Sequence, residues 1–104
     1  MNDRLEQLHR LHNADPKDPF LAYGIALEHG KAGAHDDAIT WLNKTLELDS
    51  QYCYAFFQKA KMLDLKGETT SAQQVLRDGI ETAKQAGDDH AAEEMKVLME
   101  SFEE

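Results

Sequence analysis

The chain is short of cysteine, proline and positive charge, and it has no long apolar run. Its one cysteine, Cys53, excludes an internal disulfide and fits a reducing compartment. Apolar runs of only a few residues exclude a bilayer-crossing helix, so no membrane partner is expected. The opening Met1-Asn2-Asp3-Arg4-Leu5-Glu6 has no hydrophobic signal stretch, which argues against export and for the cytoplasm. Eleven Lys and Arg stand against twenty Asp and Glu, a net charge of −9, which repels a phosphate backbone. Nucleic acid is not an expected partner. The deficit is uneven: residues 87–104 hold seven carboxylates against Lys96, a local balance of −6, whereas residues 51–86 hold five cations against four acids, or +1. The acidic end reads as a solvated helix face that aids solubility.

What the chain does have is a period. Leu8, Leu42 and Leu76 stand 34 apart, and Ala26/Ala60, Gly33/Gly67, Ala38/Ala72 and Leu46/Ile80 keep the same step. A unit of that length is one helical hairpin, which cannot bury its apolar face alone and must stack on its neighbours.

Punctuation divides the chain into six helices and no strand. The first covers about Asp3–Asn13, after which Asp15-Pro16-Lys17-Asp18-Pro19 breaks the chain. Asp18 is placed to cap a second helix, with Pro19 in its first turn, running to about Ala32 and stopped by Gly33. A third spans about Asp36–Leu48. Asp49-Ser50 is expected to cap a fourth, from about Gln51 to Lys66, ended by Gly67. Thr69-Thr70-Ser71 opens a fifth that ends near Gly87, and Asp88-Asp89 opens the last, where Ala91, Met95, Leu98 and Phe102 form a stripe at helical spacing.

The spacing resembles the tetratricopeptide repeat family, whose pattern is Trp-x2-Leu-Gly-x2-Tyr, then Ala-x3-Phe, then Pro. Residues 19–52 read Ala22-x2-Ile25-Ala26-x2-His29, Ala38-x3-Leu42 and Ser50; residues 53–86 read Phe56-x2-Lys59-Ala60-x2-Leu63, Ala72-x3-Leu76 and Lys84. Small residues stand where the two helices of a hairpin must approach closely. The chain departs from the pattern where Lys59 replaces a core apolar residue, and a pattern proline is kept only at Pro16. The resemblance implies one domain and an all-α, right-handed helix–turn–helix repeat stack. It divides into a half unit at about 1–18, units at 19–52 and 53–86, and a C-terminal helix at 87–104. In that last helix the apolar stripe falls one residue late, which reads as a longer turn around Gly87-Asp88-Asp89 before a polar-faced cap.

The resemblance also places a concave groove on the second, fifth, ninth and twelfth residues of each unit, a face turned about 100° from the core stripe by helix geometry. These are Phe20, Tyr23, Leu27 and Gly30, then Tyr54, Phe57, Lys61 and Asp64, with Gln58 beside them. Aromatics offer large contact area at little entropic cost, and Lys61 could meet a carboxylate, which suits an extended peptide or a partner helix. The same aromatics could equally pack one first helix against the next. The family's clamp for a chaperone's C-terminal carboxylate uses Lys/Arg and Asn pairs, but Gly24, Leu27, Gln58 and Lys61 stand at the comparable places, so that activity is not expected.

Catalysis is not expected. Ser50, Ser71, Ser101 and Cys53 lack a nucleophile elbow, no phosphate-cradling loop occurs, and adjacent carboxylates such as Asp36-Asp37 splay around their helices. Of the five histidines, His9/His12 and His29/His35 come near one another in sequence without the three or four ligands of a zinc site, so neither metal nor cofactor is expected. Trp41 reads as a packing residue over the joint between units, with exposure on the convex side and self-association as its alternative. The expected function is a protein–protein interaction module, monomeric, binding a peptide or helix. The alternative is a structural unit that pairs two copies.

Overall fold

The computed structural model describes residues 2–102, so Met1 and the last two carboxylates of the acidic end, Glu103 and Glu104, lie outside the described residues. Six α-helices follow in order, with no strand among those residues: α1 Asp3–Ala14, α2 Pro19–Lys31, α3 His35–Leu48, α4 Cys53–Leu65, α5 Thr69–Gln85 and α6 Asp89–Ser101. The tightest partners are α2 with α3 and α4 with α5; α3 hands on to α4 and α5 to α6, while α1 leans on α2. Successive pairs therefore stack, and the first helices α2, α4 and α6 also touch one another along one side. This is an all-α helical repeat solenoid. No described helix is long and apolar enough to cross a membrane.

The repeated leucines and alanines are the ones that go inside. Leu8, Leu42 and Leu76 are all buried, and so are Ala26, Ala60, Ala38 and Ala72. Alanine at these places lets paired helices approach without a gap between their backbones, while Ile25, Leu42, Leu76 and Met95 fill the space between the alanines. One buried polar residue, Thr45, satisfies itself by donating its hydroxyl to the Trp41 carbonyl at 2.8 Å, one turn back. Thirty-four residues on, that place belongs to Gly79. A Cβ there would lie 2.6 Å from Phe56 Cβ and 2.7 Å from Met95 Sδ, so α5 touches both α4 and α6 at a point where no side chain fits.

Local signals explain most helix ends. Asp18 accepts the Phe20 amide at 2.9 Å and Asp88 that of Ala91 at 3.0 Å, as helix-start residues should. Gly33, Gly67 and Gly87 each turn the chain at positive φ, and each closes the preceding helix with the same bonds. In the first, the Ala34 amide reaches back to the His29 carbonyl at 2.9 Å and Gly33 to Gly30 at 3.1 Å.

Two expectations fail for physical reasons. Asp49 does not cap α4: its carboxylate accepts the Gln51 amide at 3.0 Å inside the turn, and the helix begins at Cys53 with Tyr52 as an N-cap that makes no side-chain bond. The late apolar stripe of the last helix does not come from a longer turn either. Instead α5 runs 17 residues against 14 for α3, and the connection to α6 is short and closed by Gly87.

Trp41 behaves as the expected joint cover. It is half-buried, with the rings of His9 and His12 edge-on to it at 5.4 and 5.1 Å, which fastens α1 to α3.

Gly79→Ala tests the closest contact. Alanine is the better helix former by about 1 kcal/mol, yet overpacking of about 1–3 kcal/mol opposes it. Since Phe56 Cβ cannot swing away, thermal or urea denaturation should find the variant less stable by about 1–2 kcal/mol. A gain in stability would show that α5 has room to move off α4.

Candidate functional site

The side on which α2, α4 and α6 lie together carries two clefts, and Phe57 and Lys61 of α4 stand between them. The first cleft, about 300 Å³, is lined from α2 by Ala26, Leu27, Gly30 and Lys31, and from α4 by Gln58, Lys61, Met62 and Leu65, over Leu42 of α3. The second, about 410 Å³, is lined by Phe57 and by one stripe of α6: His90, Glu93, Glu94, Val97, Leu98 and Ser101. Helix period places His90, Glu94, Val97 and Ser101 on one line, at steps of four, three and four.

The expected groove residues divide among several situations. Leu27, Gln58 and Lys61 meet in the first cleft, and Phe57 lines the second. Lys61 lies with its ammonium 5.7 Å from the Phe57 ring centre, a cation–π arrangement that holds it over α4. Tyr23 is half-buried, its ring 5.0 Å from that of Tyr52, so it braces the α2 face against the start of α4. Tyr54 is also half-buried; it packs edge-on to Phe57 at 6.3 Å and donates its hydroxyl to Glu94 at 3.4 Å. Phe20 is 65% exposed at the head of α2 and lines neither cleft. Asp64 is occupied elsewhere, its carboxylate accepting the Thr69 hydroxyl at 2.9 Å across the α4–α5 turn.

Charge on this face is arranged by prior engagements. Lys31 is taken up by Glu28 at 3.0 Å. Lys61 has no carboxylate within ion-pair distance among the described residues, so it is the cation of the first cleft that remains available. On α6, Glu94 is held by Tyr54 and by His90, whose Nε2 lies 2.5 Å from it. Burial pushes all three tyrosines above their ordinary 10.0. At Tyr23 the Gln58 side chain works partly against that; at Tyr52 the neighbouring Tyr23 adds to it, and at Tyr54 the charge of Glu94 does.

The contribution of α6 was not foreseen, because the last helix reads as a polar-faced cap when its glutamates are counted. The structure corrects this: Val97 is 59% exposed and Leu98 half-buried beside it, so the face toward Phe57 is apolar with an acidic edge. The signal available in the sequence was Val97, an apolar residue standing off the stripe of Ala91, Met95, Leu98 and Phe102.

With the geometry described, comparison with known proteins gives the class. No protein-family model matches the chain, and no curated protein matches it in sequence. Solved structures do match. A tetratricopeptide repeat domain protein from Salinibacter ruber superimposes with a TM-score of 0.79 at 27% identity, over 86% of this chain and 90% of that one. The TPR2B domain of yeast Sti1, solved in complex with pHsp70, gives 0.89 at 20% identity, over 95% and 79%. The Yersinia enterocolitica type III secretion translocator chaperone SycD gives 0.84 at 19%, over 95% and 69%. The chain is a helical repeat protein. Its fold is tetratricopeptide-repeat-like.

A spectrophotometric titration tests the packing of the tyrosines. In denaturant all three should ionise near 10.0, while in the native protein the midpoint should lie higher. Because the folded protein holds these protons more tightly, the stability they contribute is present below pH 10 and lost as pH rises through the raised values. A native midpoint equal to the denatured one would mean that the aromatic pairs are open.

Proposed function

We propose that this chain is a protein-interaction module that holds a peptide segment or a partner helix along a concave groove formed by its first helices, without catalysis or cofactor. The observation that carries the reading is the meeting of Leu27, Gln58 and Lys61 in one cleft, with Phe57 beside them opening on a second. A binder needs a few aromatic anchors and one available charge on a rigid support, and this face offers both. The division into units at 19–52 and 53–86, with a half unit before and a helix after, belongs to the same proposal. It makes α2 and α4 equivalent floors of the groove. The tetratricopeptide-like fold supports it, as does the Sti1 domain that was solved with pHsp70 on it. Of the other expected groove residues, Tyr23 is braced by Tyr52 and Tyr54 by Glu94, while Phe20 is exposed at the head of α2.

A second reading, pairing of two copies, draws on Leu11, Phe20, Leu65 and Val97, all large apolar side chains more than half exposed. Trp41, packed edge-on by His9 and His12, is half-buried and lines a small cleft with Thr40 and Lys44. Light scattering over a range of concentrations separates the two: a constant monomer mass is expected, and mass rising with concentration supports pairing.

For the groove, Tyr23→Ala combined with Phe57→Ala should abolish capture of a partner from lysate while the circular dichroism stays helical. Lys61→Glu, a change at an exposed residue, should reduce capture without touching the packing. Recovery of the same partner in the same yield by both variants would overturn the assignment.

A further inference from the structure

We propose that the cleft between α4 and α6 seats an apolar side chain of a basic peptide segment, with the neighbouring Lys or Arg of that segment against Glu93 and Glu94. This rests on the interaction reading and gives it a chemistry. The floor is Phe57, Val97 and Leu98, and the roughly 410 Å³ cleft has room for a Leu- or Phe-sized side chain. Val97 is more than half exposed although it stands on the face that looks toward α4, so α6 presents an apolar floor left open among the described residues.

The edge of the cleft sets the sign of the occupant. Residues 87–102 carry Asp88, Asp89, Glu93, Glu94 and Glu100 against Lys96, five acids and one cation, or −4. Glu94 stands at the rim, accepting the Tyr54 hydroxyl and lying beside His90. Glu93 lines the same cleft and takes part in no ion pair among the described residues. An acidic segment would meet two carboxylates at close range, whereas a basic one gains charge complementarity and steering. The opposite sign appears on the other side of Phe57, where Lys61 stands. An occupant long enough to cross both clefts therefore runs with its carboxylates toward α2 and its cations toward α6.

The probe is a displayed library of random peptides of about twelve residues, which spans roughly 40 Å when extended, panned on the full chain. Selected peptides are then synthesised and their binding followed by fluorescence anisotropy. Selected sequences should place Leu, Ile, Met or Phe beside Lys or Arg. Glu93→Lys should weaken such a peptide about three- to fivefold and flatten its salt dependence, and Val97→Asp should weaken it about tenfold. Both changes fall on exposed residues, so helicity should hold. Acidic or uncharged winners overturn the proposal and leave the groove reading intact. The same is true of basic winners that ignore both variants but lose binding with Lys61→Glu. Self-association abolished by Val97→Asp overturns it in favour of a second copy. A library that yields no binder overturns both readings.

Discussion

Everything in this molecule depends on helices being allowed to come close. A hairpin of two short helices has too little apolar surface to be stable alone, and each pair must present a flat, small-residue face to the next. Ala26 with Ala38, and Ala60 with Ala72, supply that face inside each pair, all four buried. Gly79 is the limiting case. It lies where α4, α5 and α6 converge, and there even a methyl group would overlap Phe56 and Met95. Close approach in the core fixes the tilt of each pair on the last, and the tilt determines which side of α2, α4 and α6 faces outward. The clefts follow from the alanines and the glycine beneath them.

The fold was legible because the same constraint repeats every 34 residues. Leu8, Leu42 and Leu76 had to be core if the chain was a stack, and three glycines had to be helix stops if the helices were short; both hold. Helix starts were less legible. Asp18 and Asp88 cap as read, but Asp49 satisfies the turn itself, since an aspartate four residues ahead of the first helical residue reaches the amide two places on and no further. The length of α5 was hidden for a related reason. A three-residue extension at one helix end is indistinguishable in sequence from a longer loop, because both shift the next apolar stripe by the same amount.

The outward face was only partly legible, because exposure is a property of neighbours. Leu27, Gln58, Phe57 and Lys61 were readable from their place in the unit, as each lies on a first helix with a known facing direction. Tyr23, in register with Phe57, and Tyr54, in register with Phe20, were placed on the same face, yet local partners hold them half-buried. Tyr52, at the N-cap of α4, has Asp18 as its counterpart 34 residues earlier, so no repeated aromatic points to it. In α6 a count of glutamates conceals an apolar line, since Val97 and Leu98 sit between charges in sequence but beside Phe57 in space.

The open line on α6 stands beside a second, buried face of the same helix. With Ala91, Ala92 and Met95, all buried, α6 shields the apolar side of the pair beneath it. That duty uses one face. Around its buried Leu8, α1 exposes Arg4, Glu6, Gln7 and Arg10 together with one large apolar residue, Leu11. In α6 the carboxylates flank a second apolar strip, Val97 and Leu98, which lies beside Phe57 of α4. The two flanking helices thus differ: on α1, His9 and His12 pack edge-on against Trp41, whereas on α6 Val97 and Leu98 line an open cleft beside Phe57.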